Sequence, residues 1–218
     1  MRVGFVGITD GRGSNLVDTL RSAEAHLKYD WYKRYLFNDA ADLEYGRWLT
    51  QTFPDYMKIH HYPRRGLGGM VKNVWTHAVA LGWDYLWHAE DDMLYTSDID
   101  VAHMIEIMEE NPDLAQLALK RAAWSPEEIS AGGFMNMAPD QYRQADGFIS
   151  QQRLFTFNPC LIRREAMCQA LDIAPVMLER EVTDTLVAQG WSFGYLGALD
   201  DPPVVTHTGN LRAPGWQL

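Results

Sequence analysis

From its first residues to Lys120 the chain repeats one rhythm: a short apolar run, a cluster of turn-forming residues, then apolar positions at helical spacing. Val3–Ile8 is bounded by Thr9-Asp10-Gly11-Arg12-Gly13, after which Leu16, Leu20, Ala23 and Leu27 recur at helical intervals behind the candidate cap Ser14. Tyr35-Leu36-Phe37 forms a second strand, Trp48 and Leu49 suit a short helix, and Lys58–Tyr62 forms a third strand that stops at Pro63. Gly66-Leu67-Gly68-Gly69 opens a helix with Val71, Val74, Trp75, Ala78 and Leu81 on one side and Gly82 as its stop. Asp84–His88 is the next strand; Val101, Met104, Ile105 and Met108 mark a helix that ends before Asn111-Pro112, and Leu114–Leu119 is a further strand. Strands alternating with helices imply an α/β domain with a mostly parallel sheet covered on both faces.

After Lys120 the rhythm breaks. Residues 121–150 carry Trp124, Pro126, Gly132, Gly133, Met135, Met137, Pro139 and Tyr142 without periodicity and are expected to form a substrate-facing loop. Leu154–Phe157 then restores a strand, Arg163–Leu171 and Val176–Gln189 are helical, and Phe193–Leu196 and Val204–Thr206 are short final strands. The glycine-broken stretch Thr208–Trp216 is expected to fold back over the site. With 218 residues and no repeat or Pro/Ser-rich linker, the whole chain reads as one domain. Two cysteines, Cys160 and Cys168, are too few for a disulfide framework and lack metal-site spacing, so both are expected to be buried apolar side chains in a reducing compartment. No stretch approaches membrane-spanning length and the N-terminal run has no signal-peptide pattern, so no membrane is expected and the place of action is the cytoplasm. A formal net charge of -10 repels phosphate backbones and anionic lipid unless the basic residues gather locally.

In an open α/β sheet, ligands bind beyond the carboxyl ends of the strands. Asp10 follows the first strand, Asp39 the second, and Glu90-Asp91-Asp92 the fourth. Three adjacent carboxylates repel one another, and a hard divalent cation relieves that repulsion; the bland alternative is one helix cap and two solvated acids. His207, after the last predicted strand, offers an imidazole ligand at the same edge if that strand is parallel to the fourth; otherwise it is a satisfied structural histidine. Gly66–Gly69 after Arg64-Arg65, and Gly11-Arg12-Gly13, let backbone N–H groups approach an anion, or are simply tight turns. Neither completes a standard nucleotide motif: Lys72 is followed by Asn73 rather than Ser or Thr, and Leu16 replaces the third glycine of a dinucleotide fingerprint.

Taken together, Thr9-Asp10-Gly11-Arg12, Arg65–Gly69, His88-Ala89-Glu90-Asp91-Asp92-Met93, Asn158–Arg164 and His207-Thr208-Gly209 resemble a GT-A-fold glycosyltransferase, closest to the small single-domain enzymes encoded by bacteriophages. The resemblance implies one Rossmann-like domain, with residues 1–120 as the nucleotide-sugar donor half and 121–218 as the acceptor half with a C-terminal metal-binding tail. It implies a UDP- or GDP-sugar donor and a divalent cation, manganese or magnesium. Residue by residue, Asp92 resembles the metal-binding acid of the family's D-x-D element and His207 its C-terminal metal-binding histidine. Glu90 takes the place of the first acid, a departure from the family's Asp, and Asp91 is placed against the donor sugar. Thr9, Asp10, Arg12 and Asp39 fall where the family holds the nucleoside, and Arg65, Gly69 and Asn73 near the donor.

Transfer builds negative charge on the departing diphosphate, which a cation stabilises, and an inverting enzyme needs a carboxylate to take the acceptor's proton. Glu181 resembles the family's acid and ranks first, with Asp184 and Glu179 behind it; ordinary helix-surface acids are the alternative. Trp124, Phe134, Tyr142, Trp191 and Trp216 are candidate sugar- or base-facing aromatics, whereas Trp75 belongs to the core. Competing readings are an Fe(II)/2-oxoglutarate oxygenase built on His88, Glu90, His207 and Arg212, a nucleotidyltransferase, and a non-catalytic sugar- or nucleotide-binding module. The acceptor implied by the phage resemblance is a virion protein or a modified base in DNA; for DNA, Arg64-Arg65, Lys72, Lys120-Arg121 and Arg163-Arg164 are the candidates to line one groove.

Overall fold

A computed structural model describes residues 1–122, 126–131, 133–174 and 177–209. In chain order the elements are β1 (Val3–Thr9), α1 (Gly13–His26), β2 (Lys33–Asn38), α2 (Leu43–Thr52), β3 (Met57–His60), α3 (Gly66–Ala80), β4 (Tyr85–Glu90), β5 (Met93–Tyr95), α4 (Val101–Glu110), β6 (Leu114–Ala118), β7 (Arg121–Ala122), α5 (Pro126–Ala131), β8 (Tyr142–Gln144), β9 (Phe148–Gln151), β10 (Cys160–Arg163), α6 (Arg164–Ile173), α7 (Glu179–Ala188), β11 (Ser192–Leu196) and β12 (Val205–His207). A nine-stranded sheet runs in the order β3-β2-β1-β4-β10-β6-β11-β9-β8, and a three-stranded sheet in the order β5-β12-β7. Within the large sheet β10 and β9 run against the other strands. The expected mostly parallel α/β sheet is therefore present.

Every residue of β1 is buried, as a strand covered on both faces requires, and its alternate side chains enter two cores. Val6 and Ile8 join one core with Leu86 of β4, which α3, α6 and α7 cover through Val74, Trp75, Met167, Ala170, Val182 and Leu186. Phe5 joins the other with Trp87, which α1, α2 and α4 cover through Leu16, Leu20, Leu49, Met104 and Met108. Gly4 is small for a reason: a Cβ there would lie 2.2 Å from the indole of Trp83.

Four expectations change. Residues 121–150 are not one loop: they carry β7, α5, two short 3-10 turns and the β8–β9 hairpin, which extends the large sheet. Leu154–Phe157 is not a strand; strands form on either side of it, at β9 and β10. The last strand does not join the sheet of β4 but pairs antiparallel with β5 and parallel with β7, and His207 is its final residue rather than the one after it. Cys160 is buried as expected, while Cys168 is only partly covered. The start of the predicted helix at Val176 lies outside the described residues, and α7 begins at Glu179. Among the described residues no helix is long and apolar enough to cross a membrane.

Candidate donor and metal site

β1 and β4 lie side by side with Ile8 opposite Glu90, so the acids that follow them emerge at one edge. The Asp10 backbone N–H donates to Asp91 Oδ2 at 3.3 Å. Arg12 turns back over this edge and divides its guanidinium among Asp10 Oδ1 at 3.0 Å, Asp91 Oδ1 at 2.5 Å and Asp92 Oδ2 at 2.5 Å. β12 brings His207 to the same point, with Nε2 at 3.1 Å from Asp92 Oδ2. The chain beyond it is tied to Asp92 as well: Thr208 donates its backbone N–H and its hydroxyl to the Asp92 carbonyl at 2.8 and 3.1 Å. Gly209 then passes so close that a Cβ would stand 2.1 Å from Asp92 Oδ2. The fold-back expected of Thr208–Trp216 is thus present in Thr208 and Gly209; residues 210–216, with Arg212 and Trp216, lie outside the described residues.

Electrostatics separate the three acids after β4. Burial pushes Asp92 up, but the hydrogen bond to His207 and the charge of Arg12 outweigh it and hold the carboxyl below its ordinary range. Asp91 is pushed up to about 7 by burial against the pull of Arg12. Glu90 is raised well above the carboxylate range by burial and then by Asp92, Glu179 and Asp91. Asp92 Oδ1 is buried and has no hydrogen-bond partner among the described residues. Among those residues no group of three or more His, Cys, Asp or Glu side chains is arranged to hold a metal. An ionised Asp92 with an orphaned oxygen and a converging imidazole fits a hard divalent cation that takes two protein ligands and completes its shell from phosphate oxygens and water.

The other predicted donor residues are placed differently. Asp39 is fully buried and spends both oxygens on the start of α3, accepting from Arg65 N at 2.7 Å and Gly66 N at 2.8 Å. The glycine-opened helix therefore meets a carboxylate of its own chain, which answers its dipole where an external anion was expected. Asn73 turns its amide back to the Gly69 carbonyl, 2.9 Å away, and the Arg65 side chain is exposed. Thr9 shares a 2.7 Å hydrogen bond with the hydroxyl of Tyr45, whose ring stacks on Trp48 at 5.2 Å. This half-buried aromatic pair beside Asp10 went unrecognised in the sequence; the clue available was the i, i+3 spacing of two aromatics just after the Asp42 cap of α2.

The acids expected to serve the acceptor lie on α7, whose first residue is Glu179. Glu179 Oε1 accepts the Phe157 N–H at 2.8 Å, and its charge acts on Glu90. Glu181 is partly covered, with Oε2 buried and unpartnered among the described residues. Asp184 is exposed, 3.9 Å from Arg180 on the same helix. Of the aromatics expected to face sugar, Tyr142 is buried and Trp191 packs on the core while donating to Gln169 at 2.6 Å; Trp124 and the side chain of Phe134 lie outside what is described.

Two expectations fail at this point. The oxygenase triad does not assemble, because His88 is fully buried against Phe157 with both ring nitrogens unpartnered among the described residues, while His207 meets Asp92. Three of the basic residues named for a DNA groove are instead bonded to backbone carbonyls: Lys120 is buried on those of Ala198 and Asp201, at 2.5 and 2.6 Å. Arg163 reaches the carbonyls of Met108 and Leu114 at the far end of β4, and Arg64 those of Asp39 and Asp10.

No family sequence model matches the chain, and no curated protein matches it by sequence. Solved structures do match in three dimensions. A mannosyltransferase of Pyrobaculum calidifontis, PcManGT, in complex with GDP-Man and Mn2+ superposes with a TM-score of 0.63 at 13% identity, over 99% of this chain and 58% of that one. TarS residues 1–349 of S. aureus with UDP-GlcNAc gives 0.67 at 10% identity, over 98% and 60%. GalNAc-T7 with UDP, GalNAc and Mn2+ gives 0.63 at 12% identity, over 100% and 45%. The chain has the GT-A fold and spans about half the length of these structures.

Proposed function

We propose that the protein is a glycosyltransferase that moves a sugar from a nucleoside-diphosphate donor, UDP- or GDP-linked, to an acceptor hydroxyl with the help of a divalent cation. The observation that carries this reading is the convergence of Asp92 and His207 at 3.1 Å on the strand-end edge of a GT-A fold. The solved neighbours, one with GDP-Man and Mn2+, one with UDP-GlcNAc and one with UDP, GalNAc and Mn2+, support the donor class and the metal. Asp92 and His207 would hold the cation, whose charge stabilises the leaving diphosphate.

The chain's own groups do the rest. Tyr45 with Trp48 flanks the nucleoside edge beside Thr9 and Asp10, and Glu90, the last residue of β4, and Asp91, just beyond it, lie on the donor side. Glu179, ahead of Glu181 and Asp184, takes the acceptor's proton: Phe157 fixes its Oε1, and its charge is felt at Glu90. A single displacement with this one base inverts the sugar's configuration. Of the two acceptors that the phage resemblance brings in, a virion protein accords with the net charge of -10 and with basic side chains spent on backbone carbonyls, and long DNA does not.

Calorimetric titration of UDP, GDP and their sugar conjugates, with and without manganese, into wild type and Asp92→Ala tests the assignment. Metal-dependent binding of one nucleotide that the substitution abolishes is expected. Binding that ignores both metal and substitution would sink the metal-assisted reading, and donor binding without any turnover or hydrolysis would favour a non-catalytic module.

A further inference from the structure

Arg12 is divided among three carboxylates, and only 22% of its side chain is open to water. The oxygen it shares with His207, Asp92 Oδ2, is crowded: Nη1 is at 2.5 Å, the imidazole nitrogen at 3.1 Å, and the Gly209 backbone passes so near that a Cβ would lie 2.9 Å from Nη1. The other oxygen, Oδ1, is buried and unpartnered among the described residues. A guanidinium and a metal ion, which takes carboxylate oxygen at about 2.0–2.6 Å, cannot both occupy that position on Oδ2.

We infer that Arg12 is a built-in counter-ion of the donor site that competes with the divalent cation for Asp92, so that metal and nucleoside diphosphate bind well only together. The inference rests on the metal-assisted donor reading above and adds a coupling to it. Because His207 stands on the Oδ2 side, a cation held by both Asp92 and His207 would enter where Nη1 now lies, so arriving alone it would displace Arg12 from Oδ2 and then stand beside a like charge. With a nucleotide present, the displaced guanidinium meets a diphosphate, a bidentate partner that replaces the lost carboxylate. The coupling is reciprocal: whatever factor the nucleotide adds to metal affinity, the metal adds to nucleotide affinity.

The test measures Mn2+ binding by the paramagnetic resonance of the free ion, for wild type, Arg12→Gln and Arg12→Lys, each alone and with UDP or GDP, with far-UV circular dichroism to verify folding. In the wild type the nucleotide should strengthen Mn2+ binding on the order of 10- to 100-fold. Arg12→Gln should bind Mn2+ alone on the order of tenfold more tightly than wild type and lose most of that enhancement. Arg12→Lys, which keeps the charge but not the three-way fork, should fall between, and it carries the comparison if the glutamine variant does not fold. Variants that bind Mn2+ alone no more tightly than wild type overturn the inference and leave the metal-assisted reading standing. No Mn2+ binding by any of the proteins, with or without nucleotide, overturns both.

Discussion

At the scale of single residues, two positions make sharp claims. Gly209 gives the chain room to pass over Asp92, so Gly209→Ala forces a methyl group against a carboxylate and against Arg12. Thermal stability should change little, because the nearest atoms the methyl meets belong to Asp92 and Arg12 and not to the apolar core, while manganese-dependent nucleotide binding falls at least tenfold, because the methyl displaces the carboxylate oxygen beside His207; unchanged binding would show that Gly209 can move aside freely. His88 is the other. Burial lowers its pKa from the ordinary 6.5 to about 4, so the native protein refuses a proton that the unfolded chain accepts. Stability held by a neutral His88 is present above about pH 6.5 and drains away as pH falls towards 4, by about 2 kcal/mol between pH 7 and pH 4.5. His88→Phe should remove that slope and, because no partner is lost, match or exceed wild-type stability at pH 7 by about 1 kcal/mol; urea melts at the two pH values provide the comparison.

At the scale of elements, the segment after β9 explains where sequence reading stopped. Leu154–Phe157 looks like a strand because Phe155 and Phe157 are apolar and buried, yet its amides meet side chains instead of a neighbouring strand. Gln151 accepts from Arg153 and Leu154, Thr183 from Phe155, Gln116 from Thr156, Glu179 from Phe157, and Thr156 from Asn158. Gln116 also donates to the Thr156 carbonyl at 2.5 Å, imitating one rung of a ladder. Thr183, Gln116 and Glu179 stand 22 to 40 residues away, and the Gln151 and Thr156 bonds are side-chain turns; neither period two nor period 3.6 registers either kind. Gln116→Leu should therefore cost about 2–3 kcal/mol in unfolding and speed hydrogen exchange at residues 155–157 in particular; uniform exchange across the fold would contradict this account. By contrast, β1, β4 and α3 were legible because buried parallel strands are plain apolar runs and α3 carries a full apolar stripe. The place of Asp92 at a strand end follows from the fold class, whereas His207 reaches it on a strand of the small sheet, antiparallel to β5, a route the strand-end rule does not cover. Glu181 ranks ahead of Glu179 in the sequence through its likeness to the family's acid, while the Phe157 amide that holds Glu179 lies 22 residues away and leaves no local signal.

At the scale of the whole molecule, charge and connectivity decide. With a net charge of -10 and its buried basic groups turned to carbonyls, the protein should show no salt-sensitive binding to duplex DNA in fluorescence anisotropy even at low salt. Lys120→Glu should act as a folding lesion of about 3–5 kcal/mol, since it sets a carboxylate among carbonyls that now share an ammonium; a well-folded variant with altered DNA binding would reverse this view. The small sheet has a further consequence. β12 joins β5 and β7 across more than eighty residues of sequence, and only that union carries His207 to Asp92. On the ribosome, Asp10, Asp91 and Asp92 are made early with Arg12, their common partner, and wait for the closing strand to emerge. The Asp92–His207 pair thus reports that β12 has been made and docked: a chain that stops before Val205–His207 has the acids that follow β1 and β4 and no imidazole to join them.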